Sequence, residues 1–580
     1  MRKLMMGNEA IARGAFEAGA TVAAGYPGTP STEILENFRN YEGVQAQWAP
    51  NEKVAMEVAA GSSFAGARTL VTMKHVGVNV AADPLFTLAY TGVNGGLVFV
   101  SADDPAMYSS QNEQDNRGYG LFAKLPVLEP SNSQEALEFT RAAFALSEQF
   151  DAPVMLRTTT RLAHSQTMVE VGEPEKYELK DYEKNPAKYI MLPAYAIQRH
   201  AEVEKKMEAL AAYAETASFN RIEWGDKKIG VIVAGIDYEY VKQTAPEVSV
   251  LKLGLTNPLP KKLIQSFAAE VERLIVVEEL EPVIETQVKA WGIPVEGKNL
   301  FTRLGEYSPE LIAHVLAGKP YAEGYGVAEK IPGRPPMLCP GCPHRGVFVT
   351  LRKLKMRVCG DIGCYTLGAL SPLEALDACV CMGASISMTV GMEKARGREF
   401  AEKTVAIIGD STFVHSGITG LINAVYNQAT STVIILDNGT TAMTGHQNHP
   451  ATGITLMGDP TAHLDFEKLL PAIGVEHVRV VDPLDLTALE EVIREETARP
   501  ETSVIITKRP CVLTKHHTAN PYRFQIDAEA CKGCKMCIKV GCTGISFDDE
   551  TKKAVVNSGC IACGVCQQVC KFDAVKKVEA

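Results

Sequence analysis

The chain has 580 residues, 46% of them hydrophobic and 22% charged, with a formal net charge of −11. That length leaves room for three to five domains with cores of their own. An acidic chain with scattered Lys and Arg is a poor nucleic-acid binder. No run of 18 apolar residues is available to span a membrane. Residues 1–24, interrupted by Asn8, Glu9, Arg13 and Glu17, read as amphipathic and not as a secretory signal, so a cytoplasmic location is expected.

Helical and strand patterns alternate from the start, which predicts an α/β class. A helix is expected over 8–18, a strand over 22–24, then the turn-rich loop Gly25-Tyr26-Pro27-Gly28-Thr29-Pro30. Residues 97–100 and 154–156 have the continuous apolar character of buried parallel strands. These belong to a first domain, 1–190. A helical linker is expected over 191–227, with its helix at 196–217 rich in Ala, Glu and Lys. A second α/β domain, 228–320, has its clearest strands at 229–233 and 274–277. A Gly/Pro-rich linker over 321–336 leads to a third α/β domain, 337–518, with core strands at 405–408 and 433–436, each ending in a polar loop. The last unit, 519–580, is too small and Cys-rich to build an adequate core unaided.

None of the 15 cysteines precedes Cys339, and eight lie in the last 50 residues. Cys531, Cys534 and Cys537 follow a C-x2-C-x2-C spacing, with Cys542 after four further residues. Cys560, Cys563, Cys566 and Cys570 form C-x2-C-x2-C-x3-C. Two such runs are the signature of a ferredoxin-like domain with two 4Fe–4S clusters, whose function is electron relay. Thiolates suit iron as soft, anionic donors. Since the fourth ligand usually crosses to the other cluster, one set is Cys531, Cys534, Cys537 and Cys570, the other Cys560, Cys563, Cys566 and Cys542. The x4 spacing before Cys542 and the lack of proline after Cys542 and Cys570 depart from the pattern. Tandem runs of this spacing argue against a pair of zinc sites.

The strand at 405–408 runs into Gly409-Asp410-Ser411-Thr412, and the strand at 433–436 into Asp437-Asn438-Gly439-Thr440. This pair resembles the thiamine-diphosphate motif that starts with Gly-Asp-Gly and ends near Asn-Asn, with Ser411 where glycine is usual. Mg²⁺ on a diphosphate wants hard oxygen donors. Asp410 and Asn438 supply them and, by resemblance, so does the backbone carbonyl of Thr440. A thiamine enzyme also needs a carboxylate at the pyrimidine N1′, to favour the imino tautomer that deprotonates the thiazolium. Glu52 is the candidate: it opens an apolar helical run and stands nine residues before Gly61, as in other thiamine enzymes. Glu57 is the alternative.

Residues 25–33, Gly-Tyr-Pro-Gly-Thr-Pro-Ser-Thr-Glu, resemble the Tyr-Pro-x-Thr-Pro motif of the pyruvate:ferredoxin oxidoreductase superfamily, which implicates Thr29 near the substrate carboxylate. Residues 73–79 (Met-Lys-His-Val-Gly-Val-Asn), 109–117 (Ser-Ser-Gln-Asn-Glu-Gln-Asp-Asn-Arg) and 339–344 (Cys-Pro-Gly-Cys-Pro-His) resemble the large subunit of the indolepyruvate branch. The resemblance covers essentially the whole chain. It implies the domain order pyrimidine-binding, transketolase-C-terminal-like, diphosphate-binding and ferredoxin-like. It also implies decarboxylation of arylpyruvates such as indolepyruvate, one-electron steps to ferredoxin, and coenzyme A as acyl acceptor. A smaller beta-type partner subunit is expected, two large with two small. Lys74, His75 and Arg117 are the candidates to meet the substrate carboxylate. Cys339, Cys342, Cys364 and Cys511 resemble the ligands of a third 4Fe–4S cluster beside the thiamine. Cys359, Cys379 and Cys381 read as buried thiols, with Cys359 the alternative to Cys364. The same chemistry on pyruvate or 2-oxoglutarate, a carboligase, and a non-catalytic electron-transfer subunit are the competing functions.

Overall fold

The computed structural model describes residues 1–321, 333–515 and 520–579. They fall in two compact units, Met1–Glu329 and Lys330–Ala580. Most of the expected 321–336 linker, and the boundary at 518/519, lie outside the described residues.

The first unit is built on a seven-stranded sheet. Its order is Leu255–Asn257, Val127–Leu128, Val154–Thr159, Leu97–Asp103, Thr69–Lys74, Val22–Gly25 and Gln45–Trp48. All neighbours are parallel except the pair Leu255–Asn257 and Val127–Leu128. Thr69–Lys74, Leu97–Asp103 and Val154–Thr159 are buried along their whole length, as strands covered on both faces must be. Helix Gly7–Glu17 packs on Ser133–Phe150. Gly14 permits the approach, since a Cβ there would sit 2.4 Å from the Leu137 carbonyl oxygen.

A second sheet in this unit has the order Arg273–Val277, Asp226–Ala234, Val248–Leu253, Arg221–Glu223, the last strand antiparallel. Two features depart from the expected layout. Arg221–Glu223 is a strand where linker was expected, and Leu255–Asn257, inside the expected second domain, pairs with the first sheet. Strands of three residues are too short to show a period. The connecting helix is Pro193–Ala214, with proline in its first turn, where a missing N–H costs nothing.

The second unit carries a five-stranded parallel sheet in the order Arg357–Cys359, Thr404–Gly409, Thr432–Asp437, Ser503–Lys508, His477–Val481. The tail adds two antiparallel pairs, Tyr522–Ile526 with Val575–Glu579 and Ile545–Asp548 with Lys553–Val556. Among the described residues no helix is long and apolar enough to cross a membrane.

Candidate cofactor and cluster sites

In the second unit the expected diphosphate loops meet. Thr404–Gly409 and Thr432–Asp437 are adjacent parallel strands, so the loops leaving them share one end of the sheet, the usual ligand position of open α/β folds. Gly439 N donates to Asp410 Oδ2 at 2.8 Å, and Ser411 N donates to Asp410 Oδ1 at 2.8 Å. Ser411 Oγ accepts from Thr441 Oγ1 at 2.9 Å, so the serine that replaces the usual glycine ties the two loops together. Asp410, Asn438 and Thr440 are all buried. Burial pushes the Asp410 carboxyl up, but the His449 charge and hydrogen bonds from His449, Ser411 and Gly439 outweigh it and hold the carboxyl below its ordinary value. Beside it Asp437 is pushed up to about 6, by burial and then by the Asp410 charge. Two acidic groups and a buried amide oxygen, at a strand end with surplus negative charge, fit a hard divalent cation.

Two residues outside the expected set complete this site. His449 Nε2 lies 3.2 Å from Asp410 Oδ2. His344 Nε2 lies 3.3 Å from Asn438 Nδ2, and burial holds the imidazole down at about 4, so it accepts from the amide and orients it. Neither position is spaced like a ligand from Asp410 in sequence. His344 did stand in the quoted Cys-Pro-Gly-Cys-Pro-His segment.

The tail cysteines divide into two cavities. Cys531, Cys534, Cys537 and Cys570 line one, and Cys542, Cys560, Cys563 and Cys566 line the other. The two runs share a backbone: the residues two and four after the first cysteine, Gly533 and Lys535 in one run, Ala562 and Gly564 in the other, all have left-handed φ of 59 to 81°. Backbone N–H groups are aimed at sulfur, Gly544 N at Cys542 (3.4 Å), Ala562 N at Cys560 (3.4 Å) and Ala574 N at Cys570 (3.3 Å). Burial, reinforced by the Cys563, Cys560 and Cys542 thiols, pushes Cys566 up to about 12. Such a set needs positive charge to ionise, as bound iron would supply. The thiols ring a void: among the described residues no three His, Cys, Asp or Glu side chains close on a single metal-ion position.

Four of the seven cysteines outside the tail, Cys339, Cys342, Cys364 and Cys511, also act on one another. Burial first, then the Cys364 and Cys339 thiols, push Cys342 up to about 12, and burial with Cys511 and Cys339 pushes Cys364 up to about 11. Cys511 N donates to Asn438 O at 2.9 Å, so this group abuts the diphosphate loop. Cys359 instead donates to Met392 Sδ at 3.5 Å. Cys381 is exposed, contrary to its expected burial. Arg345, only 1% exposed, joins this group to the tail. It donates to the carbonyls of Leu338 and Cys339 on one side and of Val540 and Gly541 on the other.

In the first unit four expected residues gather at the carboxyl end of the parallel sheet. Asn51 caps the helix Glu52–Phe64 through Val54 N, and Glu52 is buried. A Cβ on Gly77 would stand 2.6 Å from Glu52 Oε1, so the glycine in His75–Val80 makes room for the carboxylate. Glu57 is exposed and paired with Lys53 at 2.5 Å. Lys74 Nζ donates to Ser109 O at 2.6 Å, and Ser109 Oγ donates to Thr29 O at 3.4 Å. Burial holds Lys74 down at about 8 against the opposing Asp104 charge. His75 Nε2 contacts Asn112 O and Oδ1, both at 3.2 Å, while buried Nδ1 has no partner.

Arg117 is held among acidic partners. Its guanidinium is 3% exposed and donates to Asp115, to Glu278 (2.7 Å) and to the carbonyls of Glu279 and Glu281. These bonds tie Arg117 to Asp115 in the 109–117 loop and to the 278–281 segment.

Comparison with known proteins agrees with this geometry. Residues 13–229 match the family described as pyruvate flavodoxin/ferredoxin oxidoreductase, thiamine diP-bdg. Residues 361–507 match the thiamine pyrophosphate enzyme, C-terminal TPP binding domain. Two proteins called indolepyruvate oxidoreductase subunit IorA are similar over nearly their full length. That of Archaeoglobus fulgidus is 40% identical over 99% of this chain and 97% of its own. That of Pyrococcus abyssi is 41% identical over 100% and 97%. A solved 2-oxoglutarate:ferredoxin oxidoreductase from Magnetococcus marinus covers 55% of this chain and 65% of its own at 18% identity, with a TM-score of 0.47. The class is therefore that of thiamine-diphosphate-dependent 2-oxoacid oxidoreductases. Within it, the chain belongs to the indolepyruvate oxidoreductase subunit IorA family.

Proposed function

We propose that this chain is the catalytic subunit of an enzyme that oxidatively decarboxylates arylpyruvates of the indolepyruvate type to aryl-acetyl-CoA and CO2, reducing ferredoxin. The carrying observation is the hydrogen bond from Cys511 N to Asn438 O. It ties a four-thiol group to the loop that meets buried Asp410, so an electron exit adjoins the cofactor site. A carboligase needs no such exit. The arylpyruvate substrate follows the relatives' name.

Thiamine diphosphate, when bound, would supply nucleophilic chemistry toward the 2-oxoacid. Asp410, Asn438 and the Thr440 carbonyl would hold Mg²⁺ for the diphosphate, and Gly409 and Ser411 shape that loop. Glu52 holds a proton at the pyrimidine N1′. Lys74, with Thr29 and His75 nearby, receives the substrate carboxylate. Cys339, Cys342, Cys364 and Cys511 would hold a first cluster and the eight tail cysteines two more, which would supply one-electron chemistry. The domains keep the order pyrimidine-binding, transketolase-C-terminal-like, diphosphate-binding and ferredoxin-like, and a smaller subunit completes a hetero-oligomer of two large and two small chains, in the cytoplasm.

Anaerobic reduction of ferredoxin or viologen with a panel of 2-oxoacids plus coenzyme A, with and without the partner subunit, tests this. Indolepyruvate should give the highest kcat/KM. Faster turnover of pyruvate or 2-oxoglutarate would reassign the substrate. No reduction by any member, with no thiamine diphosphate bound, would make the chain an electron-transfer subunit.

A further inference from the structure

We propose that the His446 imidazole donates a hydrogen bond to the Cys511 sulfur and so raises the reduction potential of the cluster proposed at Cys339, Cys342, Cys364 and Cys511. The inference rests on that cluster being present. His446 Nε2 stands 3.8 Å from Cys511 Sγ, within reach of an N–H···S bond.

The backbone has gone to some length to place this ring. His446 has φ +67°, a left-handed conformation uncommon outside glycine, though histidine tolerates it better than most. The turn around it is over-determined. His446 N donates to Thr441 O at 3.1 Å, and Thr441 pairs with Gln447 in an isolated bridge. The Gln447 side chain accepts from Thr444 Oγ1 at 2.6 Å and donates to Thr444 O at 2.9 Å. Strained residues persist where their surroundings fix them in this way, and they cluster at functional sites. The same loop begins with Asn438 and Thr440, and Asn438 O accepts from Cys511 N. One short segment thus touches the diphosphate-binding residues and, at its far end, a cluster thiolate.

A donor at a ligand sulfur stabilises the reduced cluster more than the oxidised one, because reduction adds one negative charge to the iron–sulfur unit. The electron enters the cluster and the proton stays on the imidazole. His446 is therefore a positioning residue that acts through Cys511. It makes the cluster beside the thiamine a readier first acceptor, an effect that backbone N–H donors supply at Cys542, Cys560 and Cys570.

The test is an anaerobic redox titration of the full-length holoprotein followed by electron paramagnetic resonance, with iron counted in each sample. The signal of this cluster is identified as the one lost in Cys364→Ala. His446→Gly removes the donor and suits the left-handed backbone. It should keep all the iron and shift the oxidised-to-reduced ratio of that one signal about tenfold at fixed potential, toward oxidised, which is about 59 mV for one electron. His446→Gln, which keeps an N–H donor, should recover part of the shift, and the tail signals should not move. Unchanged potentials in His446→Gly with full iron content would overturn the role. Loss of about four irons in His446→Gly would overturn it as well, making His446 a ligand or a structural prop. About eight irons in the wild type, with Cys364→Ala removing none, would instead sink the underlying cluster assignment.

Discussion

Replacing Arg345 should loosen the tail from the diphosphate domain. Its guanidinium has four carbonyl partners, at 2.8 Å for Val540, 2.6 Å for Leu338 and 2.9 Å for Cys339, with Gly541 closer still. Hydrogen bonds from a charged donor contribute about 1.5–3 kcal/mol each, so four give about 6–12 kcal/mol. Burying the cation costs several kcal/mol in return. The net loss expected for Arg345→Met is about 3–5 kcal/mol. That corresponds to local opening roughly 10²- to 4 × 10³-fold more frequent, at about 1.4 kcal/mol per factor of ten. Hydrogen exchange on the anaerobic holoprotein reads this directly. The amides of Gly541 and Ile545, bonded to Ile538 O and Cys542 O, should lose protection, while those of Thr404–Gly409 should not. Arg345→Lys should fall between, since an ammonium cannot address carbonyls on two sides as a planar fork does. Wild-type protection at Gly541 in Arg345→Met would refute the idea that this side chain fastens the tail.

Three further outcomes are expected. Asp410→Ala should lose Mg²⁺-dependent binding of thiamine diphosphate yet retain the tail irons, measured by cofactor content and iron analysis, because the tail cavities contain no part of that loop. Glu52→Gln should keep the cofactor and lose roughly 10²–10⁴-fold in turnover, whereas Glu57→Gln, altering an exposed residue paired with Lys53, should stay near wild type; the reverse result would transfer the role to Glu57. Lys74, held down at about 8 by burial, is charged below that pH and neutral above it, so KM for the 2-oxoacid should rise about tenfold per pH unit above 8, and Lys74→Met should raise KM roughly 30-fold or more and abolish that dependence. A flat KM from pH 7 to 9.5 in the wild type would remove Lys74 from the carboxylate site.

The sequence by itself determined the elements whose chemistry is local. Cluster loops are written in short cysteine spacings, because one tight turn must offer three sulfurs. The Asp410 and Asn438 loops are written at the ends of apolar strands, because a buried parallel strand is a continuous run of residues such as Val433, Ile434 and Ile435. The helix after Asn51 was legible from its apolar character. What depends on distance in space was not legible. Arg117 stood in a motif beside plausible ligands, and only the fold brought Glu278, 161 residues away, onto it. His344 and His449 carry no spacing that links them to Asn438 and Asp410, since their contacts form across strand-end loops. Arg221–Glu223 and Leu255–Asn257 are too short for periodicity to speak, so sheet pairing alone decided where they belong. The meeting of Cys511 with His446 and Asn438 is likewise decided by tertiary structure, because burial and charge pairing act between side chains that the chain order keeps apart.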